Sequence, residues 1–486
     1  MKKSLVNIVM LSALMPACSL MPGYERPAAP VSDTWPVGTS KQQSYNAADI
    51  GWREFFINEK LRQVIALALQ NNRDLRVAAL NIEKARAQYQ IQSADLFPTV
   101  NATGTANIQH TGSNSGGSGN SANGTTQQSN DSRGGTSHNY RAGIGFSAYE
   151  LDFFGRIRSL DEQALQLFLA TEDARRSTHI SLVAEVANTW LTLQADQERL
   201  RLARETLQSQ QASYDLNKSR FDIGITTGLD LQQSQISVNT ARVDVARYSS
   251  QIQQDENALA LLIGAKLPPE LRPESKLEPV TALADLPAGM PSEVLRQRPD
   301  VLQAEHTLQA ANANIGAARA AFFPSITLTA TAGTASSELS KLFSAGTGFW
   351  TFVPQVVVPI FNAGRNRANL KGAEIDRDIS LAQYEKAIQS AFREVADSLA
   401  IRQTLGEQFD AQRSLVDASG ESYRLSEARF RGGIDNYLAV LDSQRTLYAA
   451  QQNLISIRLI AFSNQVTLYK VLGGGWYELR PESTSK

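Results

Sequence analysis

Ala94-Asp95-Leu96-Phe97-Pro98-Thr99-Val100-Asn101-Ala102-Thr103-Gly104-Thr105-Ala106 returns later as Ala320-Ala321-Phe322-Phe323-Pro324-Ser325-Ile326-Thr327-Leu328-Thr329-Ala330-Thr331-Ala332. The spacing is 226 residues (320 against 94), and it holds without a gap back to Asp74 and Asp300. In both places a long helical pattern stops at Phe-Pro, because proline forbids helix continuation. A polar/apolar alternation of period two follows, which reads as a strand. Further along, the spacing becomes 209 (364 against 155): Gly155-Arg156-Ile157-Arg158 answers to Gly364-Arg365-Asn366-Arg367. Ser213-Tyr214, Arg220-Phe221, Gly224-Ile225, Leu229, Ser234-Gln235 and Gly264 answer to Ser422-Tyr423, Arg429-Phe430, Gly433-Ile434, Leu438, Ser443-Gln444 and Gly473. One unit has been copied once. The change of spacing places 17 additional residues in the first copy, between Ala106 and Gly155. That interval holds His110 to His138, a Gly/Ser/Asn/Thr run that reads as an exposed loop.

The elements expected from this pattern are the following. Repeat one covers 59–264, with strands 98–107 and 140–153 and helices 59–96, 156–222 and 228–263. A Pro-rich linker covers 265–291. Repeat two covers 292–472, with strands 324–333 and 349–361 and helices 292–322, 365–431 and 435–472. A tail covers 473–486. Trp350, Phe352 and Phe361 fall near the ends of the last strand, as interface aromatics do. The run Arg156–Asp222 contains neither proline nor glycine. As one helix of about 67 residues it spans on the order of 100 Å. Val183, Val186, Trp190, Leu193, Gln197, Leu200, Arg204, Leu207, Gln211 and Tyr214 mark a polar-interrupted heptad seam along it.

Composition narrows the function. The 47 basic and 48 acidic side chains nearly cancel, so no basic stripe is available for nucleic acid. A single cysteine, Cys18, excludes an intrachain disulfide and a cysteine metal site. The four histidines are scattered, and no phosphate loop or nucleophile elbow occurs. The expectation is therefore no enzyme, no metal and no cofactor.

The N-terminus reads as an export signal over 1–17, with Lys2 and Lys3 before an apolar stretch. Leu14-Met15-Pro16-Ala17-Cys18 resembles a lipobox, so Cys18 is the expected lipidation site, opening an extended anchored segment over 18–58. Ser19 fits delivery to the outer membrane. The alternative is an ordinary secretory signal with an incidental cysteine. No other stretch is long and apolar enough to cross a bilayer as a helix, so a membrane crossing requires a closed β-barrel. Four strands per chain cannot close one, and helices of this length lack a core within one chain. Cyclic association answers both needs. Two chains give eight strands and three give twelve; residue physics leaves that choice open.

Gly51-Trp52-Arg53-Glu54-Phe55-Phe56, Asn72-Arg73-Asp74-Leu75, Glu150-Leu151-Asp152-Phe153-Phe154-Gly155-Arg156, Arg298-Pro299-Asp300, Ala321-Phe322-Phe323-Pro324-Ser325, Tyr384-Glu385-Lys386-Ala387-Ile388 and Leu472-Gly473-Gly474-Gly475-Trp476 resemble the outer-membrane factor family of tripartite efflux pumps, the TolC/OprM type, in its lipoprotein branch. The likeness covers nearly the whole chain. It implies a mainly α fold with a transmembrane β-barrel: a homotrimer whose 12 strands join a long periplasmic α-helical barrel. It also implies an outer-membrane lipid environment, a periplasmic membrane-fusion adaptor and an inner-membrane RND pump as partners. Gly224 and Gly433 match the family's helix-hairpin tips, where the adaptor docks. Leu438 and Asp442 match its periplasmic constriction, Arg445 lies on the same helix face, and Arg429 is the matching arginine on the incoming helix. An apolar ring of Leu438 and a cation-favouring ring of Asp442 would result. Residue chemistry alone favours a solvated surface pair for Asp442 and Arg445; the resemblance reverses that.

Three other readings compete. One is an outlet for type I protein secretion or metal-ion efflux, separable by the neighbouring pump genes. Another is a non-conducting structural lipoprotein, separable by ion conductance. The third, a cell-wall enzyme, lacks an active-site pattern.

Overall fold

The computed structural model describes residues 19–36, 49–111, 135–281 and 295–475. Cys18, the signal, most of the Gly/Ser/Asn/Thr run and Trp476 lie outside the described residues. The helices are α1 Trp52–Phe55, α2 Glu59–Asn71, α3 Arg73–Ala94, α4 Arg156–Asp222, α5 Gly228–Ile263, α6 Pro299–Ala320, α7 Arg365–Arg431 and α8 Tyr437–Val471. The strands are β1 Val100–Thr111, β2 Gly135–Glu150, β3 Ser325–Ser336 and β4 Gly348–Val357. Two compact units result: one from 1–25, 86–166 and 309–379, the other from 26–85, 167–308 and 380–486.

The first unit holds an antiparallel sheet in the order β1-β2-β3-β4. Val100 faces Phe146 and Thr111 faces Gly135. Ala332 faces Ile144 on one side and Trp350 on the other. The outer edges of β1 and β4 pair with no other strand among the described residues. Strand bounds differ from expectation at several ends. β1 and β2 extend to Thr111 and back to Gly135, taking up the ends of the expected loop, because pairing recruits polar residues such as His110 and Thr136, whose side chains lie 3.0 Å apart. β4 stops at Val357 instead of 361, where its partner β3 starts at Ser325 and where Pro359 has no N–H to donate. Phe361 therefore lies beyond the strand.

Two expected helices are broken. The pattern over 59–96 is interrupted at Asn72, whose ψ of 133° is not helical. Its Oδ1 accepts from Leu75 N–H at 2.9 Å, so Asn72 ends α2 and caps α3. The pattern over 292–322 is interrupted at Arg298, because the residue before a proline is pushed out of the helical region and Pro299 fits the first helical position. Residues 295–297 are helical, and α6 begins at Pro299.

The second unit contains a core, contrary to the expectation that helices of this length lack one within one chain. Trp52, Phe55, Phe56, Leu61, Ile65, Val186, Trp190, Leu191, Leu193, Leu259, Leu277, Val466 and Tyr469 are buried together. Phe55 stacks on Tyr469 with ring centroids 3.9 Å apart. Around 182–203 the long helix α4 is buried on far more than its heptad seam, because residues of α1, α2, α5, α7, α8 and the linker join it in one buried cluster. The linker is pinned there. Glu198 accepts from Leu277 N–H at 2.9 Å and pairs with Arg458 at 3.0 Å, while Arg458 donates to the Leu277 carbonyl.

Candidate gate and helix tips

Both long helices end in the same way. Gly224 and Gly433 take left-handed φ values of 75° and 72°. Gly224 N–H bonds the Phe221 carbonyl at 2.9 Å and Ile225 N–H bonds the Arg220 carbonyl at 2.8 Å. Gly433 to Phe430 and Ile434 to Arg429 repeat this at 3.0 Å each. This pair of bonds is a Schellman closure, and its reversed residue is cheapest as glycine. The two tip glycines thus occupy equivalent turns of the second unit.

The restarts differ between copies. In the first, Thr227 and Asp230 form a reciprocal capping box that opens α5, and Thr226 Oγ1 also donates to Asp230 at 2.9 Å. These hydrogen bonds hold the Asp230 carboxyl below its usual value against the opposing effect of burial. In the second, Asn436 caps α8 through Ala439 N–H. A bidentate ion pair closes the turn: Arg429 reaches Asp435 at 2.6 and 3.0 Å. The Arg429 guanidinium holds the Asp435 carboxyl below its usual value. The partner of Arg429 within the chain is thus Asp435, in its own hairpin.

Leu438, Asp442 and Arg445 all lie in the first turns of α8 and all are exposed. Leu438 is 44% exposed although its neighbours Tyr437, Val440 and Leu441 are buried. One side of α8 therefore packs inward, while Leu438 and Asp442, four residues apart, share the free side. Tyr437 was not foreseen. Its ring lies 5.3 Å from Phe430, and burial pushes its phenol up to about 12. Arg220 stacks over the same Phe430 at 4.7 Å, joining the first-copy tip to the second. A repeat comparison offers one signal for this: the position equivalent to Tyr437 is Gly228, so the buried anchor exists in one copy only.

Farther along the second unit, α4, α5, α7 and α8 enclose a depression of about 850 Å³ lined by Glu185, Asp255, Glu394 and Asp397 among Ser, Thr and Asn side chains, with one lysine, Lys470. Burial and the neighbouring Asp196 carboxyl raise Asp255 to about 6. Asp196 is itself held by Arg199 at 2.7 Å. Among the described residues, no group of His, Cys, Asp and Glu is arranged to hold a metal, and no helix is long and apolar enough to cross a membrane.

Comparison with known proteins matches residues 64–265 and 290–474 to the family described as outer membrane efflux protein. The chain is 49% identical over 482 residues to the toluene efflux pump outer membrane protein TtgC of Pseudomonas putida, covering 98% of this chain and 97% of that one. It is 42% identical to the outer membrane protein OprJ of Pseudomonas aeruginosa, covering 98% and 96%. Among solved structures, the open state of the MtrE outer membrane channel of Neisseria gonorrhoeae superposes with a TM-score of 0.84 at 38% identity, covering 94% of this chain and 99% of that one.

Proposed function

The chain belongs to the outer membrane efflux protein family, and on that premise we propose that three copies close into one outer-membrane conduit, fed from the periplasm and gated at the α8 tips. The observation that carries this is the sheet. Among the described residues its four strands leave the outer edges of β1 and β4 unpaired. Open edges cannot face lipid, since each unsatisfied backbone group costs several kcal/mol there, roughly. Pairing β4 of one copy with β1 of the next satisfies every edge, and three copies give twelve strands with a lumen.

In this reading Leu438 and Asp442 from each copy ring the periplasmic mouth. The leucines form an apolar constriction and the carboxylates a cation-favouring one. Arg445 and the Arg429–Asp435 pair restrain the closed state. The tips at Gly224 and Gly433 receive a periplasmic adaptor, and an inner-membrane RND pump supplies the energy. Cys18 carries the lipid anchor. Relatives are named for toluene, solvents and antibiotics; the cargo here is of that kind, toxic and small. No catalytic step is involved.

Two measurements test this. Purified oligomer in a planar bilayer is expected to conduct weakly until Leu438→Ala with Asp442→Ala opens it, and the double variant is expected to admit large antibiotics to cells. Unchanged conductance and unchanged uptake would remove the gate assignment. Deletion of the gene should sensitise cells to solvents only where an RND pump is present.

A further inference from the structure

The turns that lead from sheet to long helix are one turn written twice, and their charges differ. In the first copy Glu150 binds Arg156 bidentately at 2.8 and 2.6 Å. Asp152 binds Arg158 at 3.2 Å and also accepts its backbone N–H at 2.9 Å. At the spacing of 209 both arginines persist, as Arg365 and Arg367, but Glu150 becomes Pro359 and Asp152 becomes Phe361. Among the described residues neither Arg365 nor Arg367 has an ion-pair partner, and both are exposed. Beside them Val358, Ile360 and Phe361 are 55%, 93% and 89% exposed. A bare apolar run of this kind, directly after a strand end, needs an apolar surrounding. Two guanidinium groups without a carboxylate partner favour an anionic neighbour.

We propose that the turn from Val358 to Arg367 binds an anionic phospholipid of the membrane leaflet that faces the periplasm. Ile360 and Phe361 enter the acyl region, Arg365 meets the phosphate, and Arg367, two residues along the helix and so on another face, adds its charge near the same anionic surface. The guanidinium fork matches two phosphate oxygens at once. Arg365 also lines a depression of about 410 Å³ with Phe153, Phe323 and Pro359. Glu150 and Asp152 lie on its wall, but each is already engaged by its own arginine. The first-copy turn neutralises itself and so binds no such lipid. The inference rests on the reading that the sheet is the membrane barrel, with this turn on its periplasmic rim.

The test uses the full chain as purified oligomer, titrated with phosphatidylglycerol and, as the neutral comparison, phosphatidylcholine, with bound lipid counted by native mass spectrometry. Wild type is expected to retain phosphatidylglycerol selectively. Arg365→Gln with Arg367→Gln should weaken retention about 30-fold, from about 1 kcal/mol per arginine near an anionic surface. Pro359→Glu with Phe361→Asp keeps both arginines, restores the first-copy carboxylates and should lose retention as well. Glu150→Gln with Asp152→Asn frees Arg156 and Arg158 and should add a second phosphatidylglycerol per chain. Equal retention by wild type and the arginine double variant would overturn the proposal. So would equal retention of the two lipids, or displacement by soluble glycerol phosphate at matching concentration. Dissociation of the arginine double variant with phosphatidylglycerol per chain unchanged would overturn it too, assigning the arginines to contacts between copies. Conductance is recorded on the same samples: a non-conducting wild type that still binds the lipid selectively counts against the channel and not against the lipid site.

Discussion

Asn72 Nδ2 donates to the Leu262 carbonyl at 2.9 Å, and Arg298 Nη1 donates to the Val471 carbonyl at 2.9 Å. Asn72 and Arg298 stand 226 residues apart, and Leu262 and Val471 stand 209 apart, so both bonds tie one repeat position to the last turn of the returning helix. The copies use different chemistry for the same tie. Asn72 adds a helix cap; Arg298, which is 7% exposed, adds ion pairs to Asp300 and Glu394 at 2.7 Å each. Asn72→Ala is expected to cost about 1–2 kcal/mol, for a cap and a bond to the backbone. Arg298→Ala should cost about 2–3 kcal/mol, since a buried cation is removed from carboxylates that water still partly reaches. Arg298→Lys should fall between wild type and Arg298→Ala, because it keeps the charge and loses the fork. Unfolding midpoints of the purified protein give the order.

Glu198 holds the linker to the core through Leu277 N–H and Arg458. Glu198→Ala should free the linker and leave Arg458 unpaired, costing about 3 kcal/mol. Limited proteolysis within 265–281 is the direct readout. Cleavage no faster than in wild type would show that burial of Leu277 holds the linker without the ion pair.

Asp255 is raised to about 6, by burial first and the Asp196 charge second. A carboxyl raised in the folded state contributes stability that is full below its unfolded value of 3.8 and is lost as pH rises through about 6. Asp255→Asn should therefore stabilise the protein by about 1–2 kcal/mol at pH 8, discounted for partial solvent access. The difference should vanish below the unfolded value. Thermal midpoints of both forms across that window decide it; a gap independent of pH would point to packing instead.

The Arg429–Asp435 pair acts in the opposite direction. Asp435 is held below its unfolded value of 3.8, so the pair is intact above that value and is lost as pH falls through the lowered one. Leak conductance should stay low at neutral pH and rise under strong acid. Asp435→Asn should leak at both. Equal leak of the two forms at neutral pH would mean that the pair does not restrain the tip.

The extended segment before α1 lies along α6. Asn312 donates to the Pro22 carbonyl at 2.8 Å, and Arg319 donates to that of Leu20. The passage at Gly316 leaves no room for a side chain: a Cβ there would come within 2.5 Å of Ser159 Oγ and 2.9 Å of the Met21 backbone. Gly316→Ala should lift residues 19–22 from the helix. Faster protease cleavage near Met21 with the remaining fold unchanged is the expected result.

The sequence alone carried the duplication, the family and the class of fold. Long runs free of proline and glycine, Phe-Pro stops and glycines at left-handed turns are local signals, legible without knowing what packs where. The family likeness placed Leu438 and Asp442 on the second hairpin. What packs against them was decided in three dimensions. The helix breaks at Asn72 and Arg298 are local in origin, a side-chain cap and a proline, but the ties those residues make reach carbonyls 190 and 173 residues away in the chain. The core around Trp190 draws residues from α1, α2, α5, α7, α8 and the linker onto a helix whose own seam is interrupted by polar residues. The Arg429–Asp435 closure, the Tyr437–Phe430–Arg220 stack and the raised Asp255 arise from side chains whose sequence separation carries no periodicity. Local preference writes the elements; long-range contacts, made only once the chain is folded, choose their ends, their partners and the charges left free.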